Sequence, residues 1–118
     1  MVSELVILKC VACRGGEPVL SGEEIETLKP EVPEWKIIEE EGVKKLWRSF
    51  KLKNFEQALN FTNQVGEIAE AEDHHPLIQM EWGRVKVVWW THKIRGLHKN
   101  DFIMAAKTDA VYRREWEQ

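Results

Sequence analysis

The chain has 118 residues, 20 of them acidic and 17 basic, with a formal net charge of −3 at pH 7 and 43% hydrophobic residues. That length holds one domain with a real core and is too short for two, at typical domain sizes of roughly 100–150 residues. The absence of any basic block or Lys/Arg stripe argues against direct binding to a nucleic-acid backbone, and no stretch approaches the ~18 apolar residues that span a bilayer.

Met1 to Cys13 contains a short apolar run that Glu4 and Lys9 interrupt or flank, with no small-residue cleavage site behind it. The expectation is a cytoplasmic protein with no membrane contact. Cys10-Val-Ala-Cys13 has the spacing of zinc ribbons and redox motifs, yet a zinc site needs four ligands and no second Cys-x-x-Cys exists. His74 and His75 are adjacent and followed by Pro76, which makes joint ligation of one ion awkward. A reduced, structurally incidental cysteine pair is expected, with no metal and no cofactor.

Ser21-Gly-Glu-Glu24 is a capping-box pattern and predicts a short helix from about Glu23 to Leu28, ended by Pro30 and Pro33. Trp35–Ile38 and Lys45–Leu52 read as two strands joined by a tight turn in which Gly42 takes positive φ. Leu46, Arg48 and Phe50 leave the core face of the second strand open. From Asn54 as N-cap, Phe55, Ala58, Leu59, Thr62, Val65, Ile68 and Ala69 recur at helical spacing, which predicts an amphipathic helix to about Glu72. Pro76 pushes His75 toward extended backbone, so the helix must stop by about His74.

A second hairpin follows, with strands over Ile78–Trp82 and Arg84–His92 about Gly83, and a last helix capped by Asn100 or Asp101. Strand alternation puts Val85, Val87 and Trp89 on the core face and Arg84, Lys86, Val88, Trp90 and His92 on the open one. Trp35, Trp47 and Trp89 are expected in the core, Trp82 in the core or hairpin, and Trp90 outside the core. The order helix, two strands, helix, two strands, helix argues for an α+β fold, an antiparallel sheet with helices covering one face.

Chemistry concentrates in His74, His75 and His92. Histidine, with an ordinary pKa near ~6.5, gives or takes a proton at neutral pH without a metal. Glu70, Glu72 and Asp73 crowd the end of the long helix, against its dipole, and Glu70 lies four residues before His74, within pairing reach. Such carboxylates favour the imidazolium form of nearby histidines. The competing reading is a solvated acidic turn beside surface histidines, with Asp101 only a helix cap.

Glu70-x3-His74-His75-Pro76, five residues, Trp82, nine residues, His92, eight residues, Asp101 closely resembles the signature of the pterin-4a-carbinolamine dehydratases, also known as dimerisation cofactors of a homeodomain transcription factor. The resemblance runs from roughly Leu20 to Arg113, including Asn54-Phe55-x2-Ala58-Leu59-x-Phe61, Val65-Gly66-Glu67-Ile68-Ala69 and Gly96-Leu97-x2-Asn100-Asp101-Phe102, which look like the bacterial branch. Residues 1–19 are less diagnostic, and residues 1–118 are taken as one domain.

The resemblance implies a four-stranded antiparallel sheet with helices on one face, assembled as a homodimer or homotetramer. It implies dehydration of a 4a-hydroxytetrahydropterin to the quinonoid dihydropterin, the recycling step after an aromatic amino-acid hydroxylase, which is an implied partner. By position, His74, His75 and His92 match the active-site histidines. His74 and His92 are expected to transfer protons and His75 to contact the pterin, with Glu70, Asp73, Asp101 and Trp82 supporting. Animal members often carry arginine where this chain has Asn100, so that arginine's contacts are not carried over. A non-catalytic module that regulates a hydroxylase or transcription factor, and a pterin enzyme of molybdopterin metabolism, are the alternatives.

Overall fold

The computed structural model describes residues 4–11 and 15–116. Helix α1 (Gly22–Leu28) starts where the capping box demands: Ser21 Oγ accepts from Glu24 N at 3.2 Å while Glu24 Oε1 accepts from Ser21 N at 2.8 Å. Strands β1 (Lys36–Glu40) and β2 (Val43–Lys51) turn through Glu41 and Gly42, both at positive φ, which is the type I′ signature that matches strand twist. Helix α2 (Phe55–Glu72) is capped by Asn54, whose side chain accepts from Gln57 N, and it buries Ala58, Phe61, Val65 and Ala69 along one stripe. Strands β3 (Leu77–Glu81) and β4 (Arg84–Trp89) and helix α3 (Lys99–Glu115) complete the chain.

The sheet is antiparallel in the order β1-β2-β4-β3, so both hairpins meet through β2 and β4. Helices α2 and α3 pack together and against the sheet, giving the expected α+β layers. Register decides the face that alternation alone left open. Leu46, Arg48 and Phe50 lie opposite Trp89, Val87 and Val85, so they share the core face. Arg48 is tolerated there because Asp109 of α3 meets it at 2.6 Å, and the same carboxylate oxygen accepts from Trp35 Nε1 at 2.7 Å. Phe50 sits at the centre of an aromatic cluster with Trp35, Phe61 and Tyr112.

Three expectations are corrected. Trp47 is half-buried on the open face, because it pairs with Val88 and alternates with the core-facing Leu46 and Phe50. Val88 is buried on that open face, a reminder that alternation assigns a side and not an exposure. Strand β4 ends at Trp89 and does not reach His92: Thr91 pairs with Gly96 instead, closing a 3-10 turn over His92–Ile94. A side chain at Gly96 would meet Val19 Cγ1 at 2.5 Å, so this closure needs glycine. Helix α3 begins after His98, whose Nδ1 accepts from Asn100 N, while Asp101 at the third position closes the box by accepting from His98 N. Neither Asn100 nor Asp101 is the cap residue itself.

Among the described residues no helix is long and apolar enough to cross a membrane. Cys13 lies outside the described residues.

Candidate active site

The exit of α2 sorts the two adjacent histidines. Asp73 adopts the left-handed conformation, its N–H bonded to Ala69 and Glu70 carbonyls, and His74 N also donates to Ala69 O. The chain then runs extended through His75 to Pro76 and β3. His74 turns inward, its side chain 11% exposed, and its Nε2 lies 2.6 Å from Asp101 Oδ1. His75 turns outward and pairs with Glu70 at 2.6 Å, both side chains largely in solvent. The expected Glu70–His74 pairing is therefore replaced, because the left-handed residue ends the helical face before His74 reaches it.

Asp101 both closes the capping box of α3 and belongs to the site. Its side chain is fully buried, and Oδ2 accepts from Thr91 Oγ1 at 2.8 Å and from His98 N at 2.9 Å, leaving Oδ1 to His74. A carboxylate only accepts hydrogen bonds, so His74 carries a proton on Nε2, which leaves Nδ1 for a ligand. The cap of α3, the end of β4 and the exit of α2 thus converge on one carboxylate.

Trp89 and Trp90 point to opposite sides of the sheet, as consecutive strand residues must, and each backs one histidine. The buried Trp89 ring is parallel to His74, 5° between planes and 5.7 Å between centroids, and its Nε1 donates to Thr108 Oγ1. Trp90, half-buried and outside the core as expected, stacks on His92 at 4.4 Å. His92 is exposed and lacks a carboxylate partner among the described residues. Partial burial, then the charge of His74, hold its pKa below the ordinary histidine value, with Lys45 and His75 adding to this and Asp101 opposing it.

His74, His75, His92, Asp73 and Thr91 line one cavity of about 540 Å³, within the roughly 300–1,000 Å³ usual for small-molecule sites. Its remaining walls include Glu72, Lys93 and Asn100, and an N-terminal strap, residues 10–11, that closes one side. Asn100 clamps this strap in two directions, Oδ1 accepting from Val11 N and Nδ2 donating to Val11 O, and Glu72 accepts from Cys10 N. Burial, and then the charge of Glu72, push the Cys10 thiol up to about 12, so it stays protonated at neutral pH. Trp82 stands apart: it occupies the β3–β4 turn with Gly83, is 71% exposed and does not line the cavity. Among the described residues no group of three His, Cys, Asp or Glu side chains is placed to hold a metal ion.

Sequence reasoning missed Thr91, His98, the Asn100 clamp and the service of Trp89 to His74. The capping-box pattern His98-x-x-Asp101 was a usable signal, with histidine as an unusual cap acceptor. No local pattern ties residue 100 to residue 11.

Residues 18–111 match the family model for Pterin 4 alpha carbinolamine dehydratase. The chain belongs to this family. A protein of Saccharophagus degradans named for the dehydratase is 54% identical over 111 residues, 94% of this chain and 98% of its own length. A Nitrosococcus oceani protein of the same name is 54% identical over 110 residues, covering 93% and 97% of the two chains. A solved structure described as a transcriptional coactivator/pterin dehydratase from Brucella melitensis superposes with a TM-score of 0.71 at 32% identity, over 79% of this chain and 97% of that one. A pterin dehydratase-like protein described as a RuBisCO assembly factor in the alpha-carboxysome shares the fold, with a TM-score of 0.57 at 19% identity, over 65% and 87%.

Proposed function

We propose that this member of the family dehydrates a 4a-hydroxytetrahydropterin to the quinonoid dihydropterin, with His74 and His92 as its proton-transfer groups. The observation that carries the reading is that two imidazoles share one cavity in unlike settings. His74 is tied to a buried carboxylate, whereas His92 is stacked on an indole and biased toward its neutral form.

In the reaction the C4a–O bond breaks, the hydroxyl leaves with an added proton as water, N5 loses its proton, and the N5–H electron pair becomes the new C4a=N5 bond. An acid at the oxygen and a base at N5 are both required, each transfer contributing typically ~10²–10⁴-fold. His92, neutral at pH 7, accepts the N5 proton. His74, doubly protonated, keeps Nε2–H on Asp101 and donates its Nδ1 proton to the departing oxygen, its ring held by Asp101 and Trp89. His75, at the cavity mouth with Glu70 behind it, contacts the pterin, and Asp73 contributes the wall beside it. Purified protein should accelerate the loss of 4a-hydroxypterin absorbance, and no acceleration would refute the assignment.

A homodimer or homotetramer fits the surface. Phe55 and Leu59 are exposed one turn apart on α2, and Leu77 is exposed on the edge strand β3. The description of the Brucella protein as a transcriptional coactivator as well as a pterin dehydratase supports a second reading, a binding role beside catalysis. Capture of a hydroxylase or regulator that persists in His74 and His92 variants would support that role.

A further inference from the structure

Three of the four histidines are held by hydrogen bonds to carboxylate or backbone groups. His74 is bonded to Asp101, His75 to Glu70, and His98 lies 3.3 Å from Glu17 while accepting from Asn100 N. The His92 imidazole has no hydrogen bond to a described residue. Its one close ring contact is Trp90, with centroids 4.4 Å apart and planes within 21°. Trp90 is itself held from the other hairpin, for Lys45 Nζ stands 4.1 Å from its ring centroid and is fixed by Glu40 Oε1 at 3.0 Å. Lys45, Trp90 and His92 also line one further cavity, of about 590 Å³, so His92 is the wall between it and the histidine cavity.

We propose that Trp90 and Lys45 form a positioning unit for His92: the indole fixes the plane of the imidazole, and the ammonium, anchored on Glu40, fixes the indole. An imidazole with no hydrogen bond has both nitrogens available to a substrate but nothing polar to orient it. Stacking supplies orientation without consuming a donor or acceptor, which suits a group that must take up a proton. Lys45 has a second effect, because a cation near the ring disfavours imidazolium.

Other charges face His92 as well. His74 and His75 approach from the exit of α2 and Asp101 from α3. Glu40, Glu41 and Arg95 border it through the further cavity, and Lys93 is its chain neighbour. A single substitution at Lys45 leaves all of these in place, which isolates its contribution.

The kinetic arm of the test rests on the dehydratase reading; the spectroscopic arm does not. Imidazole proton resonances of His92 are followed by NMR through a pH titration in the wild type and in Trp90→Leu, Trp90→Phe, Lys45→Met and Lys45→Arg. The unit predicts that Trp90→Leu abolishes the ring-current shift of the His92 protons and lowers kcat roughly tenfold or more, a scale that small misplacement of a reacting group reaches. Trp90→Phe should recover most of both, and KM should change less than kcat. Lys45→Met should move the His92 titration midpoint upward and Lys45→Arg should leave it near the wild-type value. If Trp90→Leu fails to fold, the Phe variant and the lysine pair decide the matter. Unchanged His92 shifts in Trp90→Leu, or a midpoint indifferent to Lys45→Met, would overturn the proposal. A wild type with no dehydratase activity would refute the functional reading while the resonances still judged this one.

Discussion

Asp101 and His74 are joined at 2.6 Å across the junction of two helices and a strand end, with the aspartate wholly enclosed and the histidine opening onto the cavity. Asp101→Asn keeps the shape but puts an amide in place of a carboxylate that accepts from Thr91, His98 and His74. The tautomer of His74 is then no longer dictated. The expected result is a loss of kcat of about tenfold or more, up to the ~10²–10⁴-fold that a positioned proton-transfer group supplies. Stopped-flow absorbance with a thermal melt as control measures it, and a kcat equal to the wild type would remove Asp101 from the site.

The pH dependence follows from His92. Its pKa is held below the ordinary ~6.5, mainly by burial and the charge of His74, so the base keeps its neutral form to lower pH than a free imidazole does. The acid limb of kcat/KM should therefore lie below that ordinary value. The same depression means the unfolded chain takes up this proton first, so its stabilising contribution, present above the unfolded value, is lost as pH falls through the folded one. An acid limb above the ordinary histidine value would contradict this.

Asn100 joins the N-terminal strap to α3 by two side-chain bonds to Val11 at 3.0 and 2.7 Å. Asn100→Ala removes both, each worth about 0.5–1.5 kcal/mol. Hydrogen exchange should show faster exchange at Val11, and KM should rise more than kcat falls because a wall of the cavity loosens. Unaltered exchange there would mean the strap is held by its other contacts.

The Arg48–Asp109 pair lies in the core with Trp35 Nε1 on the same carboxylate oxygen. Asp109→Ala takes the carboxylate from a largely buried guanidinium and from an indole N–H. Breaking such a pair from one side costs about 3–5 kcal/mol, which urea unfolding resolves easily. A cost below about 1 kcal/mol, the range of exposed pairs, would mean water reaches Arg48.

Local signals were sufficient for most of the fold. Ser21 and Asn54 capped their helices as their side chains predict, Gly42 made the turn, and Pro76 set the end of α2 to within two residues. Long-range pairing was not legible from such signals. Nothing near Arg48 says that Asp109 stands opposite it, so the core face of β2 is fixed only by its register with β4. The histidine frame named the residues that gather at the cavity but not their couplings. Helical spacing assigned Glu70 to His74, and a single left-handed residue at Asp73 gave Glu70 to His75 and His74 to Asp101. Trp82 belongs to the spacing of the motif yet stands in an exposed turn away from the cavity, which a count of intervening residues does not reveal.

The central claim is that His74 and His92 move the protons. Its most direct test is the dehydration rate of a 4a-hydroxytetrahydropterin generated in situ, compared between the wild type and the His74→Ala, His92→Ala double variant. The account predicts rapid loss of the 4a-hydroxypterin absorbance with the wild type and a rate slower by roughly tenfold or more with a double variant of unchanged far-UV circular dichroism. Full activity in the folded double variant would contradict it.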